Sequence, residues 1–283
     1  MIRLLPLLSL PLFLACGDAS DDTAGSGSDG GATDGGAASD GGSAGDGGTT
    51  GGTARLAGRV IKPDGSPANV QMRLCAELCR SIMTEADGSF EYTSVEAAHY
   101  ALEAVNLADQ KTVSTPLDFL TIEDGADIEL AEPIISYDYV TVEDLTDGAN
   151  VLTVDGGLRL WVDQSAMTPS ESNSPYLADG EADYVAAVAV SPDAIGLPLE
   201  EIEGEIVAAW FMGRMNVKLS PPWTFTTDDT HGLAEGESVR ILGADYDSKG
   251  WLDGGTATVT DGALTSDEGS GIPVLSTVLF VRE

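Results

Sequence analysis

From residue 54 to the end of the chain, apolar and polar residues trade places mostly at every second position. "ARLAGRVI" alternates, "KPDGSPA" interrupts it with turn formers, and "NVQMRLC" alternates again. "CRSIMT", "FEYTSV" and "HYALEAVNL" continue the series, with a second turn at "EADGSF". A two-residue period gives each strand one apolar face, and Asp-Gly pairs reverse the chain between strands. Further on, "NVLTVDGGLRLWVD" reads as two strands about a D-G-G turn, and "ADYVAAVAVSPD" and "EGEIVAAWFM" as buried strands. "PPWTFTT", "GESVRILGADY", "TATVTDGAL" and "IPVLSTVLFV" extend the β pattern. Only "PDAIGLPLEEIEG" has room for a short helix. The pattern predicts an all-β protein, with a β-sandwich over residues 54–135 and a second β-rich, sandwich-like domain over 136–283.

Ahead of residue 54 the alternation is absent. Residues 17–53 contain 14 Gly and seven Asp, no Lys or Arg, and nothing larger than Asp. Such a segment has nothing to bury, so a disordered acidic tether over 16–53 is expected, with a root-mean-square span of about 30–35 Å. Its "DGG" triplets lack the nine-residue period of a calcium-binding β-roll and read as spacer. Residues 1–15 read as an export signal. Arg3 supplies positive charge, and the apolar run "LLPLLSLPLFLA" covers 12 residues, against the roughly 20 a spanning helix needs. Small Ala15 then precedes Cys16.

"FLAC" and its flexible acidic flank resemble the bacterial lipoprotein signal, in which the cysteine becomes a lipidated first residue. Phe13 and Leu14 stand where that pattern most often has Leu and a small residue. The resemblance implies lipidation at Cys16 and a membrane anchor of several acyl chains. The competing reading is an ordinary secretory signal with a coincidental cysteine.

"LAGRVIKPDGSPANVQMRL", "TEADGSFEYTSV" and "HYALEAVNL" carry a second likeness. They resemble the carboxypeptidase regulatory-like, or transthyretin-like, β-sandwich, with its G-x-V strand, D-G-x-P turn and T-x-x-D-G-x-F turn. The resemblance covers about residues 54–135 and implies an accessory or spacer module. The stretch from His231 to Thr277 is similar to the end of ZU5- or GAIN-like β modules of cell-surface proteins. Some of those cleave themselves at a His-x-Ser/Thr site. No His stands two residues before Ser276 or Thr277, so autoproteolysis is not expected.

Charge narrows the partners. Forty-seven acidic against 13 basic residues give a net charge of −34, while 42% of residues are hydrophobic, enough for a core. That field repels nucleic acid and anionic headgroups, because phosphate binding depends on Lys and Arg. There are three cysteines, Cys16, Cys75 and Cys79. Cys75 and Cys79 flank a three-residue link between predicted strands, within reach of a disulfide. So short a loop limits its entropic contribution to about 2 kcal/mol. Zinc would need further ligands, and a redox pair would favour C-x-x-C.

Candidate chemistry is sparse. His99 heads a strand and is expected to be wet or lightly packed. His231 has Asp228 and Asp229 close by, a mixed N/O set that suits a metal, although such residues also build turns. Asp245, Asp247 and Gly250 occupy the first, third and sixth places of an EF-hand loop, but Lys249 and Thr256 stand where oxygen ligands belong. No metal or other cofactor is expected. No G-x-S-x-G elbow is present, and 26 acids over 136–283 make any carboxylate pair uninformative. Trp161 and Trp210 are expected in the core, and Trp223 and Trp251 on loops as a contact surface.

These features predict a non-enzymatic lipoprotein at the bacterial outer membrane or cell surface. Its partners would be the membrane, through its lipid, and an envelope protein or glycan. The alternative is an enzyme or metal-dependent carbohydrate binder with its site in the C-terminal domain.

Overall fold

The computed structural model describes residues 54–106, 110–145, 149–169, 184–199 and 202–283. The predicted signal, Cys16 and the tether lie outside the described residues. The fold is all-β; among the described residues the helical elements are single 3-10 turns at Asp155–Gly157, Gln164–Ala166 and Pro192–Ala194. The last is what "PDAIGLPLEEIEG" forms within that description.

Eight strands build the first sandwich: β1 (Ala54–Ile61), β2 (Gln71–Cys75), β3 (Cys79–Met83), β4 (Ser89–Val95), β5 (Ala98–Val105), β6 (Leu117–Ile122), β7 (Asp127–Glu129) and β8 (Ile134–Ile135). One sheet runs β4-β1-β7 with β8 also on β1; the other runs β3-β2-β5-β6. Both D-G-S turns close in the same way. The carboxylates of Asp64 and Asp87 each accept bonds from the backbone N–H and hydroxyl of the serine two residues on. Gly88 sits at φ 83°, and a Cβ there would meet the Val60 carbonyl at 2.3 Å. In β1, Gly58 leaves room for the ring of Phe90, its partner across the sheet. Leu56, Val60, Met72, Leu74, Tyr92 and Leu102 fill the core between the sheets.

The second half has β9 (Thr141–Asp144), β10 (Ala149–Val154), β11 (Leu158–Asp163), β12 (Met167–Pro169), β13 (Tyr184–Val190), β14 (Glu205–Gly213) and β15 (Val217–Trp223). Then follow β16 (Phe225–Thr227), β17 (Ser238–Asp245), β18 (Gly250–Thr260), β19 (Ala263–Ser266), β20 (Ile272–Leu275) and β21 (Thr277–Arg282). A ten-stranded sheet, β10-β11-β16-β19-β18-β17-β21-β14-β13-β9, packs on a three-stranded one, β12-β15-β20. Their shared core centres on Phe280, stacked on Phe225 at 4.8 Å and tilted against Trp210 at 4.9 Å. Among the described residues the opposite face of the big sheet is covered only in part. Leu242, Leu279, Phe211 and Val188 lie beneath Tyr137, Tyr139 and the Ile195–Leu199 segment.

The two halves meet along the outer face of the β3-β2-β5-β6 sheet, and the described residues belong to one compact unit. Cys75, Ala101, Leu117 and Phe119 pack there against Ala244, Tyr246 and Trp251. A polar cluster is sealed into the same junction. Arg73 and Glu103 are register partners, with Nη1 and Oε2 3.1 Å apart and both side chains almost wholly buried. That contact is an ion pair rather than a well-aligned hydrogen bond. Across the junction Asn216 donates to Glu103 Oε1 at 2.8 Å, and Arg73 donates to the Tyr246 hydroxyl at 3.0 Å. Thr277 accepts the Leu117 N–H at 2.9 Å, and Asp118 accepts the Leu199 N–H at 2.7 Å. Burial pushes the Glu103 carboxyl upward, and Arg73 and Asn216 pull it back. Beside this cluster Cys75 and Cys79 form the expected disulfide, facing each other across the β2–β3 ladder.

Candidate functional site

Among the described residues, the half of the ten-stranded sheet left uncovered carries side chains able to meet a partner. In β11, Leu158, Leu160 and Val162 point inward, which turns Arg159, Trp161 and Asp163 outward. Arg159 lies between Thr153 of β10 and Thr226 of β16. The row continues through Thr265 and Thr258 to Ser238. Alongside it Trp161 faces Val151, and its backbone N–H reaches the Thr224 carbonyl. Asp267 and Thr256 follow, Thr256 beside Arg240 of β17.

The hydroxyls of this face are bonded among themselves. Thr226 and Thr265 are 2.9 Å apart, Ser238 and Thr258 3.0 Å. Asp267 accepts from Thr256 at 2.5 Å and from Thr258 at 3.1 Å. Trp161 is 44% exposed and Val151 56%. Arg159 is exposed and makes no hydrogen bond or ion pair among the described residues.

The tryptophans expected on a contact surface are elsewhere. Trp223 is buried at the end of β15, its Nε1–H bonded to the Asp163 carbonyl at 3.1 Å. The prolines before it do not make a loop, because β15 continues through them. Trp251 lies in β18 and meets Phe119 edge-on at 5.7 Å, inside the junction. Trp210 is in the core as expected. Trp161, expected there too, is the exposed one: its apolar type suggested burial, but its phase in the alternation points it outward.

Of the metal-ligand candidates, the Asp245–Asp247 pair is already occupied. Lys218 sits between Asp245 and Asp247, with Nζ 3.1 and 3.2 Å from their carboxylates. Asp245 is only 2% exposed and also accepts the Ser248 N–H. An ammonium therefore fills the place the EF-hand comparison assigned to calcium. Desolvation pulls the Lys218 pKa down, but bonds to the two carboxylates outweigh it and the pKa is raised. Lys218→Met should cost roughly 2 kcal/mol, since Asp245 would stay buried without its counter-charge. The shift in urea midpoint measures it.

His231 packs edge-on against Trp210 at 5.7 Å, with Nδ1 3.6 Å from Asp229. Asp228 lies exposed on the same turn, and among the described residues no three His, Cys, Asp or Glu side chains converge as a metal group would require. The hollow beside His231 measures about 200 Å³; its one acid, Asp229, comes from the same turn. The Nε2 atom is buried without a partner. Burial lowers the His231 pKa below 6.5, and Asp229 only partly opposes it. A depressed histidine favours the neutral form, so its stabilisation is complete above pH 6.5 and fades as pH falls through the folded pKa. His231→Asn suits the backbone, which holds φ 52°. That variant should flatten the slope of stability against pH below 6.5 relative to the parent, as read by urea unfolding at several pH values.

His99, expected to be wet or lightly packed, is half-buried at the junction. Nε2 donates to the Lys249 carbonyl at 2.7 Å, while Nδ1 lies 3.1 Å from the Thr121 hydroxyl.

Comparison with known proteins adds no family: no family model matches the chain, and no curated protein does. Among solved structures, a DUF3823 family protein from Bacteroides ovatus is 13% identical, over 82% of this chain and 95% of that one, with a TM-score of 0.23. A second DUF3823 family protein, from Parabacteroides merdae, is 10% identical over 82% and 99%, with a TM-score of 0.23. A streptococcal ancillary pilin is 10% identical over 83% and 55%, with a TM-score of 0.26. At these scores the overlaps carry no argument about function.

Proposed function

We propose that this chain is a non-catalytic binding module of the bacterial cell envelope, lipid-anchored through Cys16 and held away from the membrane on its acidic tether. The open face of β10-β11-β16-β19-β18-β17 is its contact surface. The observation that carries this reading is the contrast between that face and the tryptophans and paired aspartates expected to make contacts. Trp161 and Arg159 are exposed and unengaged, whereas Trp223, Trp251 and the Asp245–Asp247 pair are committed to packing and ion pairs. The lipoprotein-like signal supports the location, and the likeness to accessory β modules supports a role without catalysis.

The test is the intact mass of the protein extracted from its native membrane, before and after reduction and alkylation. The reading expects a mass for residues 16–283 plus acyl groups, with two thiols released only by reductant. An unacylated mass overturns the anchor and makes the protein a secreted one.

A further inference from the structure

We infer that the Trp161 face binds a neutral polysaccharide laid across the strands, an inference that rests on the binding-module reading and names its ligand. Trp161 offers an exposed indole, whose electron-rich face attracts the C–H face of a pyranose ring. Beside it stand groups that match sugar hydroxyls. Among the described residues Arg159 supplies unused donors and the Thr153 and Thr224 hydroxyls both donor and acceptor, while Asp267 and the hydroxyls already bonded along the rows keep acceptor lone pairs. The rows run perpendicular to the strands at the strand spacing of about 4.8 Å, so an extended chain meets a repeat of polar groups rather than one socket.

Charge selects the neutral ligand. The whole chain carries −34, which penalises any polyanion brought to it. On the face itself Arg159 and Arg240 stand against Asp163, Asp267 and Glu283, the last 3.7 Å from Arg240, which leaves a small negative excess and nothing to hold a polyanion. A cationic partner would find its attraction elsewhere, on a surface without an unpaired arginine at its centre. A protein partner fits poorly as well. Val151 and Trp161 are the apolar pair here, whereas a stable protein interface buries about 800 Å² on each side around an aromatic or apolar core. A hydroxyl-rich neutral chain needs one stacking platform and many modest hydrogen bonds, and this face has both.

The test uses the full acylated chain in detergent, titrated by calorimetry with cellohexaose, xylohexaose, mannohexaose and N-acetyl-chitohexaose, with polygalacturonate as the anionic control. At least one neutral hexasaccharide should bind. Trp161→Ala should weaken that binding about tenfold or more, and Arg159→Gln severalfold, with unfolding midpoints unchanged because both side chains are exposed. Trp251→Phe, which alters the junction rather than the face, should leave it intact. The inference is overturned if no neutral hexasaccharide binds, if only polygalacturonate binds, or if binding survives Trp161→Ala. Its failure leaves the intact-mass result untouched, and an unacylated mass would remove the anchor while leaving glycan binding untouched, so ligand and anchor fall separately.

Discussion

Glu103→Ala is expected to destabilise the protein by about 3–5 kcal/mol, because it strands the Arg73 guanidinium in the junction between the two halves. Arg73 is 4% exposed and Glu103 0%, so water cannot replace the lost carboxylate. Asn216 would lose the acceptor for its 2.8 Å bond as well. The double variant Arg73→Met, Glu103→Leu should recover much of the loss, since the cost lies in the unpaired charge and not in the absence of the pair. Urea unfolding followed by circular dichroism measures both. A loss below about 1 kcal/mol for Glu103→Ala, the scale of an exposed pair, would mean that the junction is open to solvent.

The second large effect belongs to Phe280. It is wholly buried and touches Phe225, Trp210 and His231, so truncation removes the ring that joins β21 to the rest of the second core. Phe280→Ala should cost about 3–5 kcal/mol through lost burial and the cavity left behind. Phe280→Leu, which keeps more of the volume, should cost less. Equal losses for the two variants would show that the aromatic contacts matter more than filled space.

Much of the fold is legible in the sequence because alternation and Asp-Gly turns are local signals. β1, β2, β4 and the β10–β11 hairpin follow from them, and so does the Cys75–Cys79 pairing. Strand order is not local: β21 lies between β17 and β14, and nothing in "IPVLSTVLFV" specifies those neighbours. The junction was hidden for a related reason. Arg73 and Glu103 occupy the polar phase of their strands, the phase that ordinarily faces water, and only residues more than 100 positions later bury it. The partner of His99 is hidden on the same ground, since the carbonyl that holds it belongs to Lys249. The exposed tryptophan, by contrast, was recoverable. "LRLWVD" places three aliphatic side chains in one phase and Trp161 in the other. Its residue type points to the core and its phase to solvent, and the phase prevails; the prolines of "SPPWTF" point Trp223 to a loop, yet β15 runs through them.

The junction also sets an order on biosynthesis. The β3-β2-β5-β6 sheet is complete once Ile122 has been made, yet the groups that cover its outer face, from Asn216 to Thr277, emerge later. From Ile135, where β8 completes the sandwich, until then Phe119, Leu117 and the Arg73–Glu103 pair face solvent on an otherwise finished sandwich, a surface prone to association between unfinished chains. A chain ending between Ile135 and Asn216 would therefore depend on a holding chaperone far more than the completed protein does.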